Sequence, residues 1–183
     1  MKYEKTIFLK DGAECLLRSA GAADAQAVLD VFRLTHAQTE HLLTYPDEGG
    51  FTLSQEQQFL AKLEESGSAV EICAFVGGQL AGTAGFEPVG TQEKVRHRAD
   101  FGIAIDRAFW RRGIGRALTQ ACIGCARQAG YSQLELSVVA ENAGAVELYR
   151  SLGFVEYGRN PRGFHTRGGA WQELVLMRLE LEP

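Results

Sequence analysis

From Asp24 onward apolar residues recur at helical spacing, with Val28, Val31, Phe32 and Leu34 on one face. This predicts a helix capped at Asp24 and preceded by a short strand over "ECLLRSA". Pro46, Gly49 and Gly50 break that pattern. It resumes at Ser54, where S-x-x-Q has capping-box form and Phe59, Leu60 and Leu63 supply the apolar face, and it stops near Gly67. The period then drops to two. "AVEICAFV" and "LAGTAGFEPV" read as strands joined at Gly77-Gly78, a two-residue hairpin signal, and "ADFGIAI" reads as the third strand of a meander after the charged turn "TQEKVRHR".

Helical spacing returns over 113–129 with Ile114, Leu118, Cys122, Cys125 and Ala129, and Gly130 is placed to end the helix. "QLELSVV" alternates as a strand, "NAGAVELYRSLG" has caps at both ends of a short helix, and "FVEYGR" is a further strand. A Gly- and Pro-rich loop leads into a last strand, "WQELVLMRLEL". The order β-α-α-β-β-β-α-β-α-β-β predicts an α+β fold, a largely antiparallel mixed sheet flanked by helices. Two strand-helix-strand passages, at 100–138 and 133–159, are expected to make its middle partly parallel. No internal repeat is visible.

At 183 residues, 45% hydrophobic and 23% charged, the chain suits a single globular domain over 1–183. A net charge of −4 argues against broad electrostatic binding to nucleic acid. The N-terminal stretch lacks the apolar core of a signal peptide, and no apolar run approaches the roughly 20 residues that span a bilayer, so no membrane association and a cytoplasmic location are expected. Of Cys15, Cys73, Cys122 and Cys125, only the last two are close in sequence. They fall on one helix face with no second Cys or His pair to complete a tetrahedral site, so the expectation is buried reduced thiols and no metal.

The stretch "WRRGIGRAL" places Gly113 and Gly115 at the start of a helix among arginines. The first amides of a helix have no intrahelical partner and carry partial positive charge, so such a turn can cradle phosphate oxygens. The third Gly of the dinucleotide fingerprint is missing, and so is the acidic residue about 20 positions later, which excludes a Rossmann reading.

"IAIDRAFWRRGIGRAL" followed by "LELSVVAENAGAVELYRSLGFVEYG" resembles the acetyl-CoA-binding core of the GNAT family of N-acetyltransferases. In the second motif Asn142, Ala145, Leu148, Tyr149, Gly153 and Phe154 fall at the family's spacings. The first motif departs at Trp110, where the family pattern has Gln or Arg. The resemblance implies acetyl-CoA as cosubstrate, its pyrophosphate on the backbone amides of Arg112, Gly113, Ile114, Gly115, Arg116 and Ala117, with the side chains of Arg111, Arg112 and Arg116 adding charge at the rim. It also implies a pantetheine arm lying between splayed parallel strands, against the backbone of Ile103, Ala104 and Ile105. Asn142 reads as an N-cap from sequence alone, and by resemblance its amide reaches the arm. Periodicity puts Tyr149 on an apolar face. By resemblance its hydroxyl protonates the departing thiolate.

The resemblance implies direct attack by an amine, and the amine's proton needs an acceptor. Glu87, His97 and Asp100 are the candidates, with a water chain as the alternative. Relatives that acetylate protein N-termini place Glu where this chain has Ser137. Two loops with opposite signals flank the expected acceptor cleft: "TEHLLTYPDEGG" with Glu40, Asp47 and Glu48, and "GRNPRGFHTRGGAW" with Arg159, Arg162, His165 and Arg167. The favoured acceptor is the primary amine of a small molecule or amino acid, as in similar bacterial members. The alternatives are a ribosomal-protein-type N-terminus and, from another class, a non-catalytic acyl-CoA sensor, which retention of Tyr149 and both glycines disfavours. Exposed edge strands offer a route to a homodimer.

Overall fold

The computed structural model describes residues 1–48 and 50–181, and Gly49, one of the loop breakers, lies outside them. Strands β1 (Glu4–Phe8) and β2 (Glu14–Ser19) lead into helices α1 (Ala25–Gln38) and α2 (Leu53–Glu65). The meander β3 (Val70–Val76), β4 (Gln79–Pro88) and β5 (Arg98–Ile105) follows, then α3 (Ile114–Gln128), β6 (Gln133–Val139), α4 (Ala143–Ser151), β7 (Val155–His165) and β8 (Trp171–Glu180). The strands form one mixed sheet in the order β1-β2-β3-β4-β5-β6-β8-β7, as the α+β expectation required.

Alternation along the strands divides the core between the two faces of the sheet. Ile72, Ala74, Phe86, Leu134, Leu136 and Met177 meet Ile114, Leu118 and Cys122 of α3 and Val146 and Tyr149 of α4. On the opposite face Cys73 and Leu80 meet Ala25 and Val31 of α1 and Leu60 of α2. All four cysteines are buried and unpaired.

The structure corrects several local expectations. β1 has no counterpart in the reading above because it is a solvated edge strand on which only Ile7 is even partly covered. Asp24 does not cap α1 with its side chain; that carboxylate instead accepts from the Gly21 N–H at 2.9 Å and grips Arg18 through two 2.7 Å hydrogen bonds. Leu34 is 42% exposed, and the buried stripe of α1 runs through Ala25, Leu29, Val31 and Thr35. The capping box of α2 sits two residues earlier than expected, with Thr52 accepting from the Gln55 N–H and Gln55 accepting from the Thr52 N–H.

The largest correction concerns the second strand-helix-strand passage. β8 enters between β6 and β7 and pairs antiparallel with both, so β7 runs parallel to β6 without touching its ladder. Among the described residues β5 and β6 make the one parallel pair. β7 also extends through the expected Gly- and Pro-rich loop to His165, with register breaks that absorb the irregularity.

Parallel pairing of β5 with β6 covers only Arg98 to Asp100, which face Gln133 to Glu135. β5 nevertheless stays paired with β4 as far as Ile105 opposite Gly82. From Phe101 onward β5 has therefore lost one neighbour, and a gap opens in the middle of the sheet. Arg98 fastens the last paired rungs by gripping the buried carboxylate of Glu135 with two hydrogen bonds, one of 2.7 Å. That guanidinium holds the Glu135 carboxyl below the usual carboxylate range.

Candidate active site

A strand that loses one partner exposes every second residue's backbone groups. The Val89 N–H donates to the Arg98 carbonyl and the Asp106 N–H to the Ala81 carbonyl, so the even-numbered positions of β5 turn to β4. Gly82 lies so close to the Ala104 carbonyl that an added Cβ would stand 2.6 Å from it. The backbone of Ala104 is thus spent on β4, and it is Phe101, Ile103 and Ile105 that face the gap. At the gap's open end the Trp110 indole N–H donates to the Ile105 carbonyl at 2.7 Å.

The helix α3 begins beyond that end. Gly113 is its N-cap with φ +101°, a conformation that costs an L-residue about 1–2 kcal/mol, and Arg111 is also left-handed at φ +61°. Gly115 answers a different need, because a Cβ there would stand 3.3 Å from Leu148 and 3.4 Å from Ile105. The Ala117 N–H bonds the Gly113 carbonyl at 3.2 Å, which leaves the amides of Ile114, Gly115 and Arg116 without a backbone partner among the described residues. The arginines divide. Arg112 is held by Asp11 at 2.7 Å and Arg116 by Ser151 at 2.6 Å, while Arg111 is exposed.

Tyr149 of α4 is only 6% exposed. Its ring meets Phe101, the first residue of β5 beyond the paired rungs, edge-on at 6.2 Å between centroids, and meets Phe154 at 5.7 Å. Burial raises its hydroxyl well above the ordinary tyrosine range, and that hydroxyl has no hydrogen-bond partner among the described residues. Asn142 caps α4, its side-chain oxygen accepting from the Ala145 N–H at 3.4 Å, as expected from sequence.

The acidic candidates lie on the sheet face that carries α1 and α2. Glu87 and Asp100 are cross-strand partners, so their carboxylates share that face beside the point where β5 leaves β6. Burial first, then the Glu135 and Glu87 charges, raise the Asp100 carboxyl. His97 lies on the closed side of the gap: its carbonyl accepts from Ser132 and Gln133, and its side chain is exposed. Glu71 on β3, opposite Gly85, is pushed up to about 7, chiefly by burial.

The two oppositely charged loops meet one another. Gln38, at the end of α1, donates to Asp106 at 2.8 Å and accepts from the Arg107 N–H at 2.8 Å, which ties the first loop to the end of β5. The Arg167 N–H donates to the Tyr45 hydroxyl at 2.8 Å, and that hydroxyl donates to Glu40 at 2.9 Å. The Arg167 guanidinium lies 4.1 Å over the Tyr45 ring, 2.8 Å from Asp47 and 3.6 Å from Glu48. Beside this clasp is a half-open pocket of about 200 Å³, with Leu42, Phe164 and Gln172 among its walls.

A splayed parallel pair, a run of helix amides without backbone partners beyond its open end and a buried tyrosine at its vertex thus lie around one gap. The model of the Acetyltransferase (GNAT) family matches residues 31–154. The chain belongs to that family. It is an N-acetyltransferase with acetyl-CoA as its cosubstrate. An L-amino acid N-acetyltransferase of Escherichia coli K12 is 26% identical over 168 residues, covering 90% of this chain and 97% of the relative. The [ribosomal protein bS18]-alanine N-acetyltransferase of the same organism is 37% identical over 81 residues, 44% of this chain and 54% of its own. A GNAT-family acetyltransferase structure from Streptococcus pneumoniae superposes with TM-score 0.87 at 28% identity, covering 91% of this chain and 99% of the other.

In this acetyltransferase the fold brings Ile103, Ile105, Gly113 to Ala117, Asn142 and Tyr149 around one gap, and it sets Glu87 beside Asp100. It leaves Ala104 facing away and His97 on the wrong side of the vertex. The indole bond of Trp110 and the Tyr45–Arg167 clasp had no sequence signal, because each joins a side chain to a partner that local periodicity does not place. The register of Glu87 with Asp100 was readable only as a consequence of the length of the turn between β4 and β5.

Proposed function

We propose that this acetyltransferase transfers the acetyl group of acetyl-CoA to the primary amine of a small molecule or amino acid by direct attack. The observation that carries the reading is Tyr149 at the vertex of the gap, its hydroxyl without a partner among the described residues and held protonated by burial. The cradle at Gly113 to Ala117 holds the pyrophosphate, and Asn142 steadies the pantetheine arm beside Ile103 and Ile105. The Ile103 N–H, turned into the gap, stabilises the carbonyl oxygen as it becomes an oxyanion. Tyr149 donates its proton to the departing thiolate, and the Asp100–Glu87 pair takes the proton of the attacking amine, directly or through water.

The full-length likeness to an L-amino acid N-acetyltransferase supports a small acceptor. The likeness to the ribosomal-protein enzyme is confined to under half of this chain.

The direct test is thiol release from acetyl-CoA across a panel of amines, amino acids and N-terminal peptides. Turnover confined to small amines is the expected result, and turnover confined to the peptides would replace this reading. Asp100→Asn is expected to lower kcat/KM about tenfold and to displace the acidic limb of its pH profile, with Glu87→Gln acting in the same direction. Profiles unchanged in both variants would assign the proton to water alone. Gly113→Val places a β-branched residue at φ +101°. It is expected to raise KM for acetyl-CoA about tenfold with kcat largely kept, because the strain of about 1–2 kcal/mol falls on the cradle and not on the reacting carbonyl.

A further inference from the structure

Three carboxylates stand side by side on one rung of the sheet. Glu87 of β4 is the cross-strand partner of Asp100 of β5, and Asp100 is in turn the partner of Glu135 of β6. Neighbouring strands lie about 4.8 Å apart, and like charges directly opposite one another repel, so three negative charges on one rung compete. The rung is also the last on which β5 pairs with β6, and it therefore borders the gap.

The three carboxyls are held differently. Glu135 is buried and accepts three hydrogen bonds, two from the Arg98 guanidinium and one of 2.8 Å from the Gln133 amide. Each of those donors favours its ionised form. Glu87 is exposed to solvent. Asp100, between them, has no hydrogen-bond donor among the described residues to steady a negative charge, and it has a carboxylate on either side. The other charges around the rung lie farther out. Arg178 of β8 is opposite Glu135 and sits over the Tyr157 ring of β7, His97 adds to the hold on Glu135, and Glu71 of β3 with Glu56 of α2 adds negative charge on the side of Glu87. Gly102, two residues on along β5 and on the same face as Asp100, has nothing within 4 Å of the place a Cβ would take. There is room for an amine beside Asp100.

We propose that Asp100 is the member of the acidic pair that receives the amine's proton, and that Glu135 and Arg98 are positioning residues for that step. The inference rests on the proposed acetyl transfer with the Asp100–Glu87 pair as proton acceptor, and it assigns the roles within the row. Arg98 keeps Glu135 charged, and that fixed charge, with Glu87 on the other side, makes the Asp100 carboxylate a stronger base than a solvated aspartate. As the amine's lone pair forms the new C–N bond, its N–H bond breaks and the proton passes to an Asp100 oxygen, directly or through water, and then to solvent. The same ion pair fastens the vertex, so one contact sets both where the strands part and which carboxyl is basic there.

The experiment follows the acidic limb of kcat/KM, with the small amine that turns over fastest, in Glu135→Gln and Glu135→Asp. Removing a like charge from beside Asp100 makes its ionised form easier to reach, and Arg98, then without its counter-charge, acts in the same direction. Glu135→Gln is therefore expected to move the limb down by about one pH unit and to lower the plateau about threefold, since a weaker base draws the proton less strongly. Glu135→Asp keeps the charge and is expected to keep the limb, even where its Tm falls. Carboxyl-carbon NMR of the aspartate-labelled protein, with Asp100→Asn to assign the signal, is expected to show the same downward shift of Asp100 without turnover. If Asp100→Asn displaces the limb while Glu135→Gln moves neither the limb nor the Asp100 signal, the inference is overturned and the proposed function stands. The same holds if Glu135→Asp shifts both as far as Glu135→Gln does. A limb unmoved by Asp100→Asn and Glu87→Gln overturns the inference together with the acidic pair as proton acceptor.

Discussion

Tyr149→Phe is expected to lower kcat for acetyl transfer about a hundredfold while KM for acetyl-CoA moves by no more than about threefold. The magnitude follows from the usual contribution of a positioned general acid. The expected split between kcat and KM follows from the structure. Phenylalanine retains the edge contact with Phe101 and the tilted contact with Phe154, so the vertex of the gap keeps its shape. The lost hydroxyl has no partner among the described residues, so no buried group is orphaned by its removal and the variant should melt close to the parent. Because burial keeps this tyrosine protonated well beyond the ordinary range, the loss should be of similar size from pH 6 to pH 9. Stopped-flow thiol release would check the result. A variant within about threefold of the parent would show that solvent protonates the thiolate.

Glu71→Gln is expected to stabilise the protein at alkaline pH. Burial, with the Glu56 and Glu87 charges adding to it, pushes the Glu71 carboxyl up to about 7 from an ordinary value of 4.5, and the Thr83 hydroxyl offsets only part of that. A carboxyl with a raised folded-state pKa is no burden while it is protonated in both states. Stability falls as pH rises from about 4.5 through about 7, because ionising the buried group becomes the cost of staying folded. Glutamine has the neutral form's shape at every pH. The gain at pH 8 is therefore at most about 3 kcal/mol, equivalent to roughly 6–12 °C in Tm for a chain of this size, and it should vanish near pH 4, below both values. Thermal melts at the two pH values decide it. An equal or lower Tm for the variant at pH 8 would mean that water or a neighbouring group already solvates the carboxylate.

The sequence by itself determined whatever depends on neighbours a few residues apart. The cap at Asn142, the left-handed turn at Gly113, the apolar stripe of α3 and the hairpin at Gly77-Gly78 are local, since each is set by backbone sterics or by a hydrogen bond to a residue within about one helical turn. The motif spacing around Gly113 and Tyr149 was legible for the same reason. Local pattern was ambiguous where two starts fitted equally, as at Thr52 and Ser54, and silent where a strand lies solvated at an edge, as β1 does. Tertiary structure alone decided that β8 inserts between β6 and β7, that β5 parts from β6 after Asp100, and that Ala104 turns toward β4 while Ile103 faces the gap. It also decided that Arg167 closes on Tyr45 across 122 positions of sequence. Strand order and register are fixed by the burial of whole faces against distant elements, and a one-residue change of register would send each of these groups to the other side of the sheet.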